Sequence, residues 1–446
     1  MDKRTFLKLS SIAMTGSLFA PPFLYRPDEE IGTNWAGNYH YKAKKLHEPD
    51  NIGQIQEIIR DSKKVHILGS RHSFNGIADS PVDLISLKNI EQDIILDREA
   101  QTVTVPAAMK YGDLAIYLHE KGYALHNLAS LPHISIAGAC ATATHGSGVN
   151  NGNLSTAVSR LEILTADGEF QTLTKEDETF PGAVVALGGL GVVTRITLDI
   201  EPTYDVKQHV YRNLSLEHLA DHFNEMMSTG YSVSFFTDYR NRTINQVWIK
   251  SRLDDKENSF EATSTLFDAQ LAERHMHPIE DISAENCTRQ LGMPGPWHER
   301  LPHFRMDFTP SSGDELQSEY FVPFEDAYDA LEEMFGMSDQ ISPYLLISEI
   351  RTIDEDNLWM SPAYGQPMVS IHFTWKPDWE SVRKVLPVIE ERLAPFNVRP
   401  HWAKLYTLSP HILQTRYQRL SDFQKLLKEY DPRGKFRNDY LNQYIF

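Results

Sequence analysis

Apolar residues change their spacing several times along the chain, and each change marks an element. Glu48-Pro49-Asp50 opens a helical pattern in which Ile52, Ile55, Ile58 and Ile59 share one face. Val65-His66-Ile67-Leu68 is a short apolar run that stops at Gly69, which predicts a buried strand. Strands over 94–96 and 102–105 flank a turn at Asp97-Arg98-Glu99-Ala100, and a helix over 111–121 carries Leu114, Ile116, Tyr117 and Leu118 up to Gly122. Arg160 to Thr165 predicts a strand entering the turn Ala166-Asp167-Gly168-Glu169, and Val192 to Ile200 another, closed by Glu201-Pro202.

Beyond Pro202 the texture changes. Alternation predicts strands over 233–237, 245–250, 315–322, 345–353 and 369–375, with a polar stretch over 254–263. Helices are expected over 324–335 and 379–393, the second ended by Pro395. Strands and helices do not keep the rhythm of one doubly wound sheet, so the expected class is α+β with more than one sheet. A domain boundary is expected near residue 205. The chain has no internal repeat, and nothing in the composition beyond Pro400 says which domain that segment joins.

Composition narrows the class. The chain has 446 residues, 41% apolar and 23% charged, which suits two or three globular domains. A net charge of −18 argues against a nucleic-acid partner, which needs a basic face. Cys140 and Cys287 make no disulfide framework, and without a Cys-x-x-Cys pair no metal site is expected. No run of 18 apolar residues occurs, so no ordinary transmembrane helix is expected.

Residues 1–22 have the layout of an export signal. Lys3-Arg4-Thr5-Phe6-Leu7-Lys8 supplies a basic start, and a modestly apolar run rich in small residues follows from Leu9 to Ala20. The pattern resembles a twin-arginine signal with lysine in the first place. That implies the export machinery as a partner and a periplasmic or extracellular location, with a membrane anchor if Pro21-Pro22 prevents cleavage.

Two small-residue segments carry candidate chemistry. Gly69-Ser70-Arg71-His72-Ser73-Phe74 follows the buried strand, and Pro132-His133-Ile134-Ser135-Ile136-Ala137-Gly138-Ala139-Cys140-Ala141-Thr142-Ala143-Thr144-His145-Gly146-Ser147-Gly148 is the second. Such segments let backbone N–H groups approach a ligand and form a concave site for a pyrophosphate. Neither matches the Rossmann or P-loop pattern. On spacing alone they serve either tight packing or a cofactor cradle. Glu349 with Arg351, and His372 with Thr374, are each spaced by two in strand-like runs and so share a face, with Ile350 and Phe373 opposite. A structural ion pair and a binding site both fit that pattern.

The two small-residue segments, with Ala186-Leu187-Gly188-Gly189-Leu190-Gly191-Val192-Val193-Thr194, resemble the vanillyl-alcohol-oxidase-type (PCMH) FAD domain. Within that superfamily the chain is similar, from about Asn34 to its end, to the sugar-alcohol (alditol) and aldonolactone oxidases. Arg399-Pro400-His401-Trp402-Ala403-Lys404 and Asp431-Pro432-Arg433-Gly434-Lys435-Phe436 belong to the resemblance. It implies a two-subdomain FAD-binding domain over 34–205, a mixed α/β cap with a large antiparallel sheet over 206–400, and a C-terminal segment over 401–446 closing the active site. FAD is then expected against Ile67, Leu68, Gly69, Ser70, Arg71, His72, Ser73, Ser130, Ser135, Gly138, Ala139, Cys140, Ala141 and Val193, bonded covalently through His72. Cys140 is expected to pack rather than to bond the flavin.

The same resemblance implies that Ser130, Glu349, Arg351, Thr374 and Lys404 bind substrate. Arg351 and Lys404 would stabilise a developing alkoxide, and His372 would receive the proton. His133 and His145 are assigned to loop structure, His401 and Trp402 to packing. Ala403 stands where relatives often carry glycine, so crowding beside Lys404 is expected. The implied activity is oxidation of a primary alcohol of a polyol such as xylitol or sorbitol to the aldose, with molecular oxygen converted to hydrogen peroxide. An aldonolactone oxidase or dehydrogenase is the second possibility, and a carbohydrate-binding protein without catalysis the third.

Overall fold

The computed structural model describes residues 31–255, 260–307 and 315–446; the expected export signal lies outside the described residues. The chain first builds two small sheets. Lys45–His47, Asp83–Ile85 and Val65–Ile67 form a parallel sheet in that spatial order. The helix Ile52–Asp61 packs on it, and Asn51 caps that helix by accepting from the N–H of Gln54 at 3.1 Å. Of the four isoleucines on its face, Ile55 and Ile59 are buried against Val65 and Ile85, while Ile52 and Ile58 lie at the rim. The second sheet is antiparallel, in the order Ile95–Asp97, Thr102–Pro106, Val192–Asp199, Val158–Leu164, Phe170–Thr174. The helix Tyr111–Glu120 lays Leu114, Ala115 and Leu118 into the core with it and stops before Gly122, whose φ of 85° suits a residue without a Cβ.

Asp205–Ser215 begins the cap domain, an antiparallel sheet of ten strands among the described residues. Its main path runs Asp205–Ser215, Thr243–Arg252, Ser232–Thr237, Leu345–Ile353, Met368–Trp375, Leu316–Pro323 and the short Arg399–Pro400. The first of these strands escapes the sequence pattern. Val206, Gln208 and Val210 alternate as buried positions, but the polar Gln208 interrupts the apolar alternation that would reveal them.

The cap sheet has two unlike faces. Phe235, Tyr320, Ile350, Ile371 and Phe373 turn into a core closed by the helices Ala327–Gly336 and Trp379–Leu393. Asp378 caps the second helix by accepting from the N–H of Ser381 at 3.1 Å, and Val382, Leu386, Ile389 and Leu393 fall on its buried side. The intervening residues Gln317, Glu319, Glu349, Arg351, His372 and Thr374 turn to the opposite face, as the pleat requires.

After Pro400 the chain returns to the first domain. Phe436 packs with Ile55 and Val65, and Leu426, Leu427 and Leu441 share a core with Leu187 and Leu190. The N–H of Val65 donates to the carbonyl of Lys435 at 3.0 Å. Of the segment from 401 onward, only His401, Ala403 and Lys404 reach the cavity between the first domain and the polar sheet face.

Candidate active site

That cavity has a volume of about 830 Å³, within the range of ligand and cofactor sites. One wall is the passage from strand to loop at Ile67 to Phe74. The N–H of Leu68 still bonds to Ile85, and that of Phe74 bonds to the carbonyl of Ala403 at 2.7 Å. Between them the N–H groups of Gly69, Ser70, Arg71, His72 and Ser73 meet no acceptor among the described residues. Arg71, at a φ of 64°, curls this run, and its guanidinium is held aside by the carbonyls of Ile31 at 2.8 Å and Thr33 at 3.2 Å. Ser135 stands between two glycines: a Cβ at Gly69 or Gly138 would come within 2.8 or 2.7 Å of its hydroxyl. Consecutive open donors in a concave, small-residue wall fit the pyrophosphate of a dinucleotide such as FAD. His72 faces the same cavity. Its ring stacks on Trp35 at 5.4 Å and its Nδ1 lies 2.9 Å from the carbonyl of Ser70. Burial pushes its pKa down to about 4, so the imidazole is neutral.

Ser130, Glu349, Arg351, His372, Thr374 and Lys404 meet on the facing wall. Strand register sets Glu319, His372 and Glu349 side by side on three neighbouring strands. Arg351 is the hub. Its guanidinium lies 3.3 Å from Oε1 of Glu319, 3.4 Å from Oε1 of Glu349, 3.2 Å from Oγ of Ser130 and 3.4 Å from the carbonyl of His145. The amine of Lys404 lies 3.0 Å from Nε2 of His372 and donates to Oε1 of Gln317.

The electrostatics follow from these contacts. Burial drives a carboxyl toward its neutral form, yet His145 holds Glu319, and Arg351 holds Glu349, well below the usual carboxylate range. Burial, then the charge of Lys404, lowers His372 to about 3. Burial lowers Lys404 as well, opposed by Glu319. Two ionised carboxylates therefore face Arg351 and Lys404 across a neutral imidazole. Such a wall can donate to and accept from uncharged hydroxyls.

Residues 43–174 match the family described as FAD binding domain, and residues 313–444 the family described as D-arabinono-1,4-lactone oxidase. Over 416 residues the chain is 45% identical to the alditol oxidase of a Streptomyces species, covering 93% of this chain and 98% of that protein. The chain belongs to the alditol oxidase family. It is thus an FAD-dependent oxidoreductase acting on CH–OH groups. A more distant relative is the L-gulono-1,4-lactone dehydrogenase of Mycobacterium tuberculosis, 25% identical over 432 residues, covering 93% of this chain and 99% of that one. The crystal structure of cholesterol oxidase from B. sterolicum shares the fold, with a TM-score of 0.74 at 14% identity over 97% of this chain and 100% of that chain.

In this alditol oxidase family member, every residue expected against the cofactor lines the cavity except Cys140. Each step along a helix turns a side chain by about 100°, and on Ile136–Cys140 that turn aims Cys140 into the core. Its thiol lies 3.2 Å from the hydroxyl of Tyr111, and burial pushes it up to about 12. His133 donates through Nε2–H to the carbonyl of Met306 at 3.0 Å. His145 lies 3.1 Å from Oε1 of Glu319, so it positions the site as well as the loop. Trp402 donates to the carbonyl of Met360 at 2.7 Å, and His401 accepts from the N–H of Ala403 at 3.1 Å while also lining the cavity. Ala403 has no positive φ, so its Cβ is carried without backbone strain.

Glu319, Gln317, His303 and Lys250 were not singled out by the sequence pattern. Gln317 and Glu319 had a readable signal, the same spacing by two that marks Glu349 with Arg351. His303 lies in a loop without a pattern, and Lys250 reads as one polar residue in a strand. Among the described residues, no three or more His, Cys, Asp or Glu side chains gather to hold a metal ion, and no helix is long and apolar enough to cross a membrane.

Proposed function

We propose that this enzyme oxidises the primary alcohol of an acyclic polyol, such as xylitol or sorbitol, to the aldose, with molecular oxygen as the final acceptor. The observation that carries this reading is the polar wall opposite the open backbone donors, which matches a neutral, hydroxyl-covered substrate. The 45% identity to an alditol oxidase supports it. Bound FAD supplies the hydride acceptor and, on reoxidation by oxygen, yields hydrogen peroxide.

The residues of the chain do the rest. A carbinol carbon releases hydride only as its O–H proton leaves. Arg351 and Lys404 stabilise the charge developing on that oxygen, and His372 takes the proton directly or through water. Glu349 accepts from a neighbouring hydroxyl, and Ser130 and Thr374 hold hydroxyls farther along the chain. Glu319 orients Arg351 through its 3.3 Å contact. Gly69 to Ser73, Ser135 and Gly138 would hold the cofactor, and His72 would be its point of covalent attachment. An imidazolyl attached there would withdraw electron density and so make the flavin more oxidising. Residues 1–22 direct the protein out of the cytoplasm, a route for folded proteins that suits an enzyme loaded with cofactor first.

One observation favours a second reading, the match of residues 313–444 to the D-arabinono-1,4-lactone oxidase family. The two are separated by the absorption spectrum of purified protein followed under anaerobic addition of xylitol, sorbitol and sugar 1,4-lactones. Polyols are expected to bleach the flavin and lactones to leave it yellow. Bleaching by lactones alone would replace the polyol reading.

A further inference from the structure

Lys250 carries an amine into the interior of the cap, with 1% of the residue exposed. It stands on Thr243–Arg252, and the register through Ser232–Thr237 to Leu345–Ile353 puts its face of the sheet in line with Glu349 and Arg351. Burying an amine is costly unless its donors are met. Two acceptors meet this one, the carbonyl of Leu301 and, at 3.0 Å, Nδ1 of His303. Nε2 of the same ring lies 2.6 Å from Oε1 of Glu349. Phe236 and Trp248 clamp the imidazole edge-on, with ring centroids 5.4 and 5.1 Å away.

The donors decide the direction of each bond. Glu349 is ionised and only accepts, so His303 donates through Nε2–H. Burial lowers His303 to about 4, leaving a neutral ring with a lone pair on Nδ1. The amine of Lys250 donates to that lone pair. The opposite tautomer would set an N–H against the amine and strip Oε1 of Glu349 of its donor. Lys250 thereby selects the tautomer, as outer groups do for ligating and catalytic histidines. Oε1 of Glu349 is also 3.4 Å from Nε of Arg351, whereas Oε2 has no hydrogen-bond partner among the described residues and the side chain lines the cavity.

We propose that Lys250 and His303 are positioning residues that hold Glu349 with Oε1 engaged and Oε2 presented to a substrate hydroxyl, and so set the affinity for polyols. The proposal rests on the assignment of Glu349 to a substrate hydroxyl made above. Lys250 does not line the cavity, so it acts only through its neighbours.

The test measures polyol KM and kcat for flavin-loaded wild type, Lys250→Met, His303→Leu, His303→Gln, Glu349→Gln and the Lys250→Met/Glu349→Gln pair. Lys250→Met and His303→Leu are expected to raise KM roughly tenfold, with kcat within about threefold of wild type. Glutamine donates to a carboxylate and accepts from an amine, so His303→Gln is expected to return KM to within about threefold. In the Glu349→Gln background, Lys250→Met is expected to add less than about twofold, because the carboxylate whose Oε2 it presents to the substrate is gone. Multiplicative effects in the pair would overturn the proposal. So would a His303→Gln enzyme as impaired as His303→Leu. If Lys250→Met does not fold, the two His303 variants decide. Wild-type KM in Lys250→Met beside a raised KM in Glu349→Gln removes the relay alone, whereas wild-type KM in Glu349→Gln removes the assignment of Glu349 and the relay with it.

Discussion

Nε2 of His372 lies 3.0 Å from the amine of Lys404, and burial together with that charge keeps the imidazole neutral with a pKa of about 3. The proton acceptor of the proposed reaction is therefore free of its proton throughout the working range. Between about pH 5 and about pH 7, kcat/KM is expected to show no ionisation from His372, whose ordinary value would fall near 6.5. His372→Ala is expected to slow anaerobic flavin reduction without moving the acid side of the profile. An acid limb near 6 that vanishes in the variant would contradict the neutral imidazole.

In the proposed reaction, Arg351 and Lys404 act where charge develops, and Ser130 and Thr374 where it does not. Removal of either cation is expected to lower the anaerobic reduction rate by on the order of 10²–10³. Ser130→Ala and Thr374→Ala are expected mainly to raise KM, by roughly tenfold for about one lost hydrogen bond. If Thr374→Ala abolishes reduction while Lys404→Ala leaves it intact, the roles are inverted.

Covalent attachment has a direct readout. Acid-precipitated protein is expected to stay yellow, with the flavin on the peptide that contains His72. His72→Ala is expected to keep part of its FAD, since the donors around Gly69 and Gly138 remain, but to lose most turnover. Flavin found entirely in the acid supernatant would exclude the bond.

Buried histidines make stability depend on pH. His66 and His303 are lowered by burial to about 4, and His372 and His401 to about 3. The unfolded chain takes up protons at these positions near pH 6.5, and the folded chain does so only far below. Between those values the unfolded state binds more protons, so acidification costs stability. Glu319 and Glu349, held low in the fold, add to the loss once the pH falls through the ordinary carboxylate range. Asp356, raised by burial to about 6, works in the opposite sense. Four histidines outweigh it, and Tm is expected to fall steadily from about pH 7 to about pH 5. A flat Tm over that interval would mean that these rings are not kept neutral.

Export is tested at the terminus. Lys3→Gln combined with Arg4→Gln is expected to retain the protein in the cytoplasm, measured by fractionation. An unchanged distribution would leave residues 1–22 without a targeting role.

Alternation made part of the site legible. Because a strand turns successive side chains to opposite faces, Glu349 and Arg351, like His372 and Thr374, can be assigned to one face without any knowledge of the neighbouring strands. Ile350 and Phe373 duly enter the apolar core on the other side. The helix Trp379–Leu393 is equally local, since its apolar spacing and the Asp378 cap lie within one run of residues.

The remainder is non-local. Which strands stand beside one another, and in what register, is decided by pairing across the whole cap. That pairing brings Glu319 beside His372 and sets His303, 46 residues from Glu349 and 53 from Lys250, between them. Likewise the return of Phe436 to Ile55 and Val65 depends on a vacancy in a distant core, not on the residues around it. By itself the sequence determined the periodic faces, the glycine-rich loops and the family they resemble, because local sterics and backbone geometry act within a few residues. Only the tertiary structure decided that Cys140 leaves the cavity, that Arg351 answers to two carboxylates, and that a buried lysine stands behind Glu349, because those contacts join residues that only long-range packing brings together.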